Sequence, residues 1–223
     1  MEILPAVEKE FPEGKEVKAS IIWLHGLGAD GNDFAPIVPQ INLSVDFGVR
    51  FIFPHAPSIP VTINNGYVMP AWYDIKQVDV DRHVDIEQLQ KSAWWVHNLI
   101  DREISRGIPS NRIIVAGFSQ GGAVSFEAAL TYCQPLAGIM ALSTYFATSK
   151  TIKINTINKS IPVLICHGTL DPVVPESLGK KSLSTLEGLG FDVRYHRYPI
   201  DHSVCPQEIG DIGQWISEIL SDS

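Results

Sequence analysis

The sequence predicts an α/β fold in which helices cover both faces of a mostly parallel central sheet. Short apolar runs recur without polar alternation, as is typical of strands buried on both faces. Segments with helical spacing lie between these runs, and strands that alternate with helices indicate right-handed βαβ crossovers. With 223 residues, 45% of them apolar and 19% charged, the chain is expected to fold as a single domain over residues 1–223.

The predicted strands begin with residues 19–24, which end abruptly at a glycine-rich loop starting with His25. Later strands are predicted from similar runs, and Val193 to Tyr198 alternates in polarity instead, as a half-exposed strand does. The other continuous runs are residues 49–53, 112–116, 137–142 and 162–166.

Two helices are predicted from apolar residues at helical spacing. The first ends before Gly107, and Asp85 with Gln88 resembles a capping box at its start. The last begins just inside Pro206. Their apolar faces carry Ile86, Leu89, Ala93, Val96 and Ile100 in the first helix, and Ile209, Ile212, Ile216 and Leu220 in the last.

A long irregular stretch is predicted from Pro54 to about Trp72, because proline, glycine and asparagine punctuate it. Within it, the segment 57–72 has a high apolar content for an exposed loop. Two interpretations are open. The segment is a mobile lid or a peripheral membrane or lipid contact, or it is a loop folded down over the core.

Composition excludes several classes of function. The formal net charge is −8 and no cluster of Lys or Arg is present, so a nucleic-acid partner is not expected. No basic leader or membrane-length apolar stretch is found, and the three cysteines form no CxxC pair, so a cytoplasmic protein with free thiols is expected. Asp79, Asp81 and Asp85 are interpreted as solvated loop residues, and neither a metal nor an organic cofactor is predicted.

The chemistry is predicted from Gly117-Phe118-Ser119-Gln120-Gly121, a G-x-S-x-G motif between a predicted strand and a helical run through Leu130. Such a turn is so tight that the residues two before and two after the serine must be small. Ser119 is therefore the candidate nucleophile, with its hydroxyl held clear of the sheet.

A serine hydroxyl needs a base and an orienting carboxylate, which are expected at later strand ends. Asp171 follows the strand at 162–166, and His202 follows the strand at 193–198. Both loops leave the carboxyl edge of the sheet, where open α/β sheets have their active sites, and the order Ser, Asp, His is the one α/β hydrolases use. The predicted catalytic residues are Ser119, Asp171 and His202.

Attack on an acyl carbon creates an oxyanion, which needs hydrogen-bond donors fixed in advance. The peptide N–H of Gln120, at the start of the helix after the nucleophile, is one candidate. The N–H of Leu27, in the loop after the first predicted strand, is the second. His25 is interpreted as fixing this loop rather than moving protons.

The motifs resemble those of the acyl-protein thioesterase and carboxylesterase group, also called the phospholipase/carboxylesterase family of α/β hydrolases. The resemblance covers nearly the whole chain. It implies the same catalytic residues and the same oxyanion amides, and an apolar acyl groove formed by Ile75, Tyr145 and Val173 with Trp72 nearby, although Trp72 could equally belong to the core. The matching segments are residues 24–28, 54–57, 71–75, 117–122, 167–175 and 202–203.

The sequence thus predicts a serine hydrolase that cleaves carboxylic esters or thioesters of acyl chains through an acyl-enzyme. A lysophospholipase is the neighbouring alternative, and an inactive hydrolase scaffold that serves as a binding module is an alternative of another class. The oligomeric state is left open, with a homodimer among the possibilities.

Overall fold

The computed structural model describes residues 2–77 and 82–221 and contains a seven-stranded sheet with two small hairpins beside it. The strands, in chain order, are β1 (Ala6–Phe11), β2 (Val17–Leu24), β3 (Gly48–Pro54), β4 (Ser58–Val61), β5 (Tyr67–Pro70), β6 (Ile75–Gln77), β7 (His83–Val84), β8 (Ile113–Phe118), β9 (Gly138–Leu142), β10 (Val163–Gly168) and β11 (Val193–Tyr198). The helices are α1 (Ile86–Ser105), α2 (Gln120–Thr131), α3 (Glu176–Gly188) and α4 (Pro206–Ser221).

The main sheet has the strand order β1-β3-β2-β8-β9-β10-β11. All neighbouring strands in it are parallel except β1, which runs antiparallel to β3 at one edge. The predicted mostly parallel sheet is therefore confirmed. Because parallel strands end at the same edge, the loops after β2, β8, β10 and β11 all lie along one rim.

Alternate residues of the central strands point into two separate apolar cores. Ile22 and Val115 belong to the core that also contains side chains of α1, α2 and α3, whereas Ile21 and Ile114 belong to the core under α4. Both cores are closed to solvent, which explains why these strands show continuous apolar runs and no alternation. The predicted helices on both faces are confirmed.

Helix α1 begins as predicted, but its capping box is only half formed. The Asp85 carboxylate accepts the N–H of Gln88 at 3.0 Å, whereas the Gln88 side chain accepts the N–H of Asp74 at 2.7 Å. Gln88 therefore ties α1 to the segment that follows Trp72.

The prediction of one long irregular stretch from Pro54 to Trp72 was wrong. Strands β4 and β5 form an antiparallel hairpin there, and its turn uses Asn65 and Gly66, both with positive φ. Prolines at 60 and 70 obscured the strands in the sequence. Edge strand β1 was not predicted, because three charged residues interrupt its pattern, and α3 was not predicted, because small residues make up much of its buried face.

No helix within the described ranges combines the length and the apolar character that crossing a bilayer requires. Among the same residues, no group of three or more His, Cys, Asp or Glu side chains is arranged to hold a metal ion. Asp85 caps α1 and pairs with Lys76 at 3.0 Å, whereas Asp79 and Asp81 lie outside the described residues.

Glu103 of α1 is fully buried and joins the edge of the sheet to the helix. Its carboxylate accepts the Ser20 hydroxyl and an N–H of Arg50, each at 2.8 Å, and an N–H of Arg106 at 3.0 Å. A buried charge of this kind is tolerated because it is fully paired, and removing one partner leaves the others uncompensated.

We expect Glu103→Gln to lower the free energy of unfolding by about 3–5 kcal/mol, because it leaves Arg50 half-paired inside the protein. Urea denaturation at neutral pH measures the loss. The control is Glu16→Gln, which removes an exposed partner of Lys18 and should change stability by about 1 kcal/mol or less. Equal losses of stability in the two variants would contradict the stabilising role of the buried Glu103 ion pairs.

Glu208, in the first turn of α4, is a second buried glutamate, and neither of its carboxylate oxygens has a hydrogen-bond partner among the described residues. Burial, helped by the charge of Asp211, raises the pKa of Glu208 from 4.5 to about 8, against a smaller opposing effect of the Cys205 amide. Between these two pH values the folded chain keeps a proton that the unfolded chain has lost. Stability therefore falls as pH rises through this window.

We expect Glu208→Gln to remove this pH dependence and to be more stable than the wild type at pH 8 by about 2–4 kcal/mol, with little difference at pH 5. Urea denaturation at the two pH values tests it. Glu187→Gln, at an exposed position of α3, is the matched control and should leave the pH dependence intact. A Glu208→Gln variant with the pH profile of the wild type would refute the assignment.

Candidate active site

Ser119 lies in a tight turn between β8 and α2, with the positive φ of 53° that is uncommon for a residue other than glycine. A Cβ atom at Gly117 would lie 2.3 Å from the carbonyl carbon of Gly121, and one at Gly121 would lie 2.5 Å from the carbonyl oxygen of Leu24. Both positions therefore require glycine, as the motif predicted. The turn leaves Ser119 at the rim with 9% of its surface exposed.

The structure brings Ser119, His202 and Asp171 into one hydrogen-bonded chain. His202 Nε2 lies 2.9 Å from the Ser119 hydroxyl oxygen, and His202 Nδ1 lies 2.6 Å from Asp171 Oδ2. With the Nδ1 proton donated to the carboxylate, Nε2 is left as an acceptor for the serine proton. This geometry can generate a serine nucleophile.

Asp171 is held in a turn of its own after β10. Its Oδ1 accepts the N–H groups of Val173 and Val174, each at 2.8 Å. Burial raises the pKa of Asp171, but the hydrogen bonds from His202 and the two amides outweigh it and hold the pKa below its ordinary value. The carboxylate is therefore ionised at neutral pH.

A buried histidine supports this turn from behind. His167 donates from Nε2 to the Val174 carbonyl at 2.8 Å and lies 3.8 Å from Asp171 Oδ2. Burial lowers the pKa of His167, so the ring is neutral. Because it is buried and holds this turn, His167 is a structural residue.

His25 fixes the loop after β2, as predicted. Its Nδ1 donates to the Gly26 carbonyl at 2.7 Å, and its Nε2 accepts the N–H of Ala56 at 3.1 Å. Burial lowers the pKa of His25, which keeps the ring neutral and preserves this pattern. The indole N–H of Trp72 donates to the His25 carbonyl at 2.9 Å. The ring and the main chain of His25 thus connect three segments of the rim.

The peptide N–H groups of Leu27 and Gln120 have no hydrogen-bond acceptor within the described part of the chain, and both residues line the cavity that contains Ser119. The Gln120 side chain is fully used elsewhere. Its carbonyl oxygen accepts the N–H of Trp72 at 2.8 Å, and its amide donates to the Tyr73 carbonyl at 2.7 Å. The two free amides can therefore donate to an oxyanion, while the Gln120 side chain fixes the segment of Trp72 and Tyr73.

The cavity beside Ser119 has a volume of about 280 Å³. Ile75, Tyr145 and Val173, the predicted groove residues, all line it. Trp72 does not, because it is 1% exposed and lies beneath the cavity. The full set of lining residues is Leu27, Ile63, Ile75, Arg82, Ser119, Gln120, Tyr145, Pro172 and Val173.

Sequence reasoning did not find Ile63, Arg82 or Pro172 as cavity residues. Ile63 lies in the segment 57–72 and Pro172 follows Asp171, so the sequence could have placed both residues near the site. Arg82 gave no signal, since it is one cation in a short acidic segment. Its guanidinium carbon lies 5.1 Å from the centre of the Tyr145 ring, and it donates to the Val173 carbonyl.

Comparison with known proteins places this geometry in a family. The phospholipase/carboxylesterase family model matches residues 7–220. A curated acyl-protein thioesterase 1 from Gibberella zeae is 41% identical over 221 residues, covering 94% of each chain.

Two solved plant structures are also similar to this chain. SOBER1 from Arabidopsis thaliana is 32% identical with a TM-score of 0.84, covering 91% of this chain and 99% of that one. Acyl-protein thioesterase 2 from Zea mays is 27% identical with a TM-score of 0.84, covering 97% and 100%. With a family match across nearly its whole length and a fold shared with these enzymes, the chain belongs to the phospholipase/carboxylesterase family of α/β hydrolases.

Proposed function

We propose that the protein hydrolyses carboxylic esters and thioesters of acyl chains through an acyl-enzyme on Ser119. The observation that carries this proposal is the position of the His202 ring, with one nitrogen 2.9 Å from the Ser119 hydroxyl and the other 2.6 Å from Asp171. A hydrogen-bonded base of this type makes a serine hydroxyl nucleophilic at neutral pH.

The proposed reaction has two acyl-transfer steps. Ser119 Oγ attacks the acyl carbonyl while His202 Nε2 takes its proton, and the Leu27 and Gln120 amides stabilise the oxyanion. His202 then gives the proton to the leaving alcohol or thiol as the carbonyl re-forms. A water molecule enters by the same route, and its attack releases the carboxylic acid and free Ser119.

The chain is proposed to work as one domain in the cytoplasm. All three catalytic groups come from loops along one edge of one sheet, and Cys133, Cys166 and Cys205 are free thiols. Free cysteines fit a reducing compartment. Ile75, Tyr145 and Val173 are the proposed acyl contacts, and Trp72 is proposed to support them from beneath through Gln120.

We expect Ser119→Ala to reduce kcat for hydrolysis of short p-nitrophenyl esters by about 10⁴-fold or more, because the nucleophile is lost while the fold is not. The steady-state rate and the thermal unfolding curve are measured together. Ser105→Ala, at the exposed end of α1, is the matched control and should keep wild-type activity.

Labelling with a fluorophosphonate probe separates the enzyme from an inactive binding scaffold. The wild type and Ser105→Ala should label, whereas Ser119→Ala should not. Retention of most of the esterase activity by pure Ser119→Ala, or a wild type that does not label, would refute the proposal.

The hairpin β4–β5 is proposed to contact lipid at the rim of the site. Its inner side is anchored, since Val61 is buried and the Pro70 carbonyl accepts the N–H of Gly28 at 2.8 Å. Its tip is not, since Tyr67 is 70% and Val68 is 58% exposed. Leu170, beside the Asp171 turn, is exposed as well. Exposed apolar side chains around a substrate cavity are typical of a surface that meets an apolar partner.

We expect Tyr67→Asp to weaken binding to phosphatidylcholine vesicles by about tenfold, because it places a charge where an aromatic ring would enter the interface. Co-sedimentation measures the bound fraction. Leu189→Asp makes the same type of change at an exposed apolar residue just beyond the end of α3 and should bind like the wild type. Identical binding by all three proteins would refute the lipid contact and favour a hairpin that only covers the core.

A further inference from the structure

The cavity beside Ser119 is apolar on most of its walls but contains a cation. Among the described residues that line it, Arg82 is the one with a charged side chain, and no carboxylate accompanies it. Arginine does not lose its proton in proteins. A permanent positive charge therefore lies in a space otherwise suited to an acyl chain.

Within the described ranges, the hydrogen-bond partners of this guanidinium are Val173 and Tyr145. One terminal N–H donates to the Val173 carbonyl, and the group lies against the Tyr145 ring. Its Nε is buried without an acceptor among residues 2–77 and 82–221, and no ion pair within those ranges includes it. Removing a cation from water without a nearby counter-charge is unfavourable. The net charge of −8 is spread over the whole protein and does not replace a local partner.

The main chain at this position is also unusual. Arg82 has a φ of 42°, in the left-handed region that residues other than glycine seldom adopt. Such outliers persist where surrounding structure maintains them, and they concentrate at functional sites. The contacts with Tyr145 and Val173, which come from two different rim loops, hold the guanidinium in place.

Arg82 lies on the acyl side of the scissile bond. The cavity is lined by Ser119 and by the two residues that carry the free amides, Leu27 and Gln120, but not by His202. A leaving group must sit against His202 Nε2 to receive its proton, so the substrate portion that fills this cavity is the acyl group.

We propose that Arg82 makes the cavity selective for acyl groups that carry a carboxylate at their far end, so that the preferred substrates are half-esters or half-thioesters of dicarboxylic acids. The guanidinium would pair with that carboxylate in the planar, two-bond geometry that arginine favours. This inference rests on the proposed hydrolysis at Ser119 and specifies its substrate class.

The test compares kcat/KM for p-nitrophenyl monoesters of adipic and suberic acid with kcat/KM for the neutral hexanoate and octanoate. We expect the wild type to prefer the charged series, and the preference to shrink as salt is added. Arg82→Met keeps an unbranched stem but removes the guanidinium and its charge. It should reduce the ratio of charged to neutral kcat/KM by about tenfold or more.

Two further variants complete the design. Arg82→Lys should retain part of the preference, because the charge remains without the planar fork. Arg194→Met removes an exposed arginine of β11 that pairs with Glu218 and should leave the ratio unchanged. Failure to hydrolyse any ester would refute the proposed function itself, whereas activity on neutral esters alone would isolate the failure to this inference.

Three outcomes would overturn the assignment. If Arg82→Met changes both series equally, Arg82 is structural. If Arg82→Met raises kcat/KM for the suberate and octanoate esters alike but not for the shorter pair, Arg82 is only a steric bridge across the cavity. The third outcome concerns 4-octanoyloxyphenyl phosphate, whose leaving group is anionic. If Arg82→Met lowers kcat/KM for this ester and not for the dicarboxylic series, the anion site lies on the other side of the scissile bond.

Discussion

The close packing of backbone against backbone at the Ser119 turn is the constraint on which the rest of the active-site edge depends. Gly121 packs against the end of β2 and Gly117 against the start of α2, at distances that admit no side chain. That packing places the first amide of α2 next to the loop after β2. Ser119 and both free amides are thus positioned by the sheet itself, and the Ser119 N–H donates to the Leu142 carbonyl at 2.9 Å.

The polar side chains that support the loop after β2 are neutral, buried and hydrogen-bonded. These contacts keep the Leu27 and Gln120 amides rigid. His25, Trp72 and the Gln120 side chain exchange hydrogen bonds with one another's segments, whereas the Leu27 and Gln120 amides have no acceptor among the described residues. Donors that are already oriented need no reorganisation when negative charge develops, and they act more strongly in a site that excludes water. His167 has the same role behind Asp171, where a neutral ring holds the turn without competing for the charge of the carboxylate.

The parts of this structure that follow from local sequence were predictable, and those that depend on distant packing were not. Continuous apolar runs identified the central strands because both of their faces are covered, and Ser119 was identified by glycines that only a tight turn requires. Edge strand β1 carries three consecutive exposed charged residues, so its pattern is lost, and the hairpin β4–β5 contains prolines that ordinarily mark loops. Arg82 could not be assigned to the cavity, because its position follows from contacts with Tyr145 and Val173, far away in the chain.

Three ionisable side chains that are buried or half-buried differ in how the cost of their desolvation is offset. Glu103 is hydrogen-bonded by two arginines, and Glu208, which has no such partners, takes up a proton instead. Arg82 has neither solution within the described residues, since it cannot lose its proton and has no carboxylate beside it. Within the described part of the chain, no side chain compensates this charge. Because the cavity borders Ser119, we infer that a group carried by the substrate compensates it.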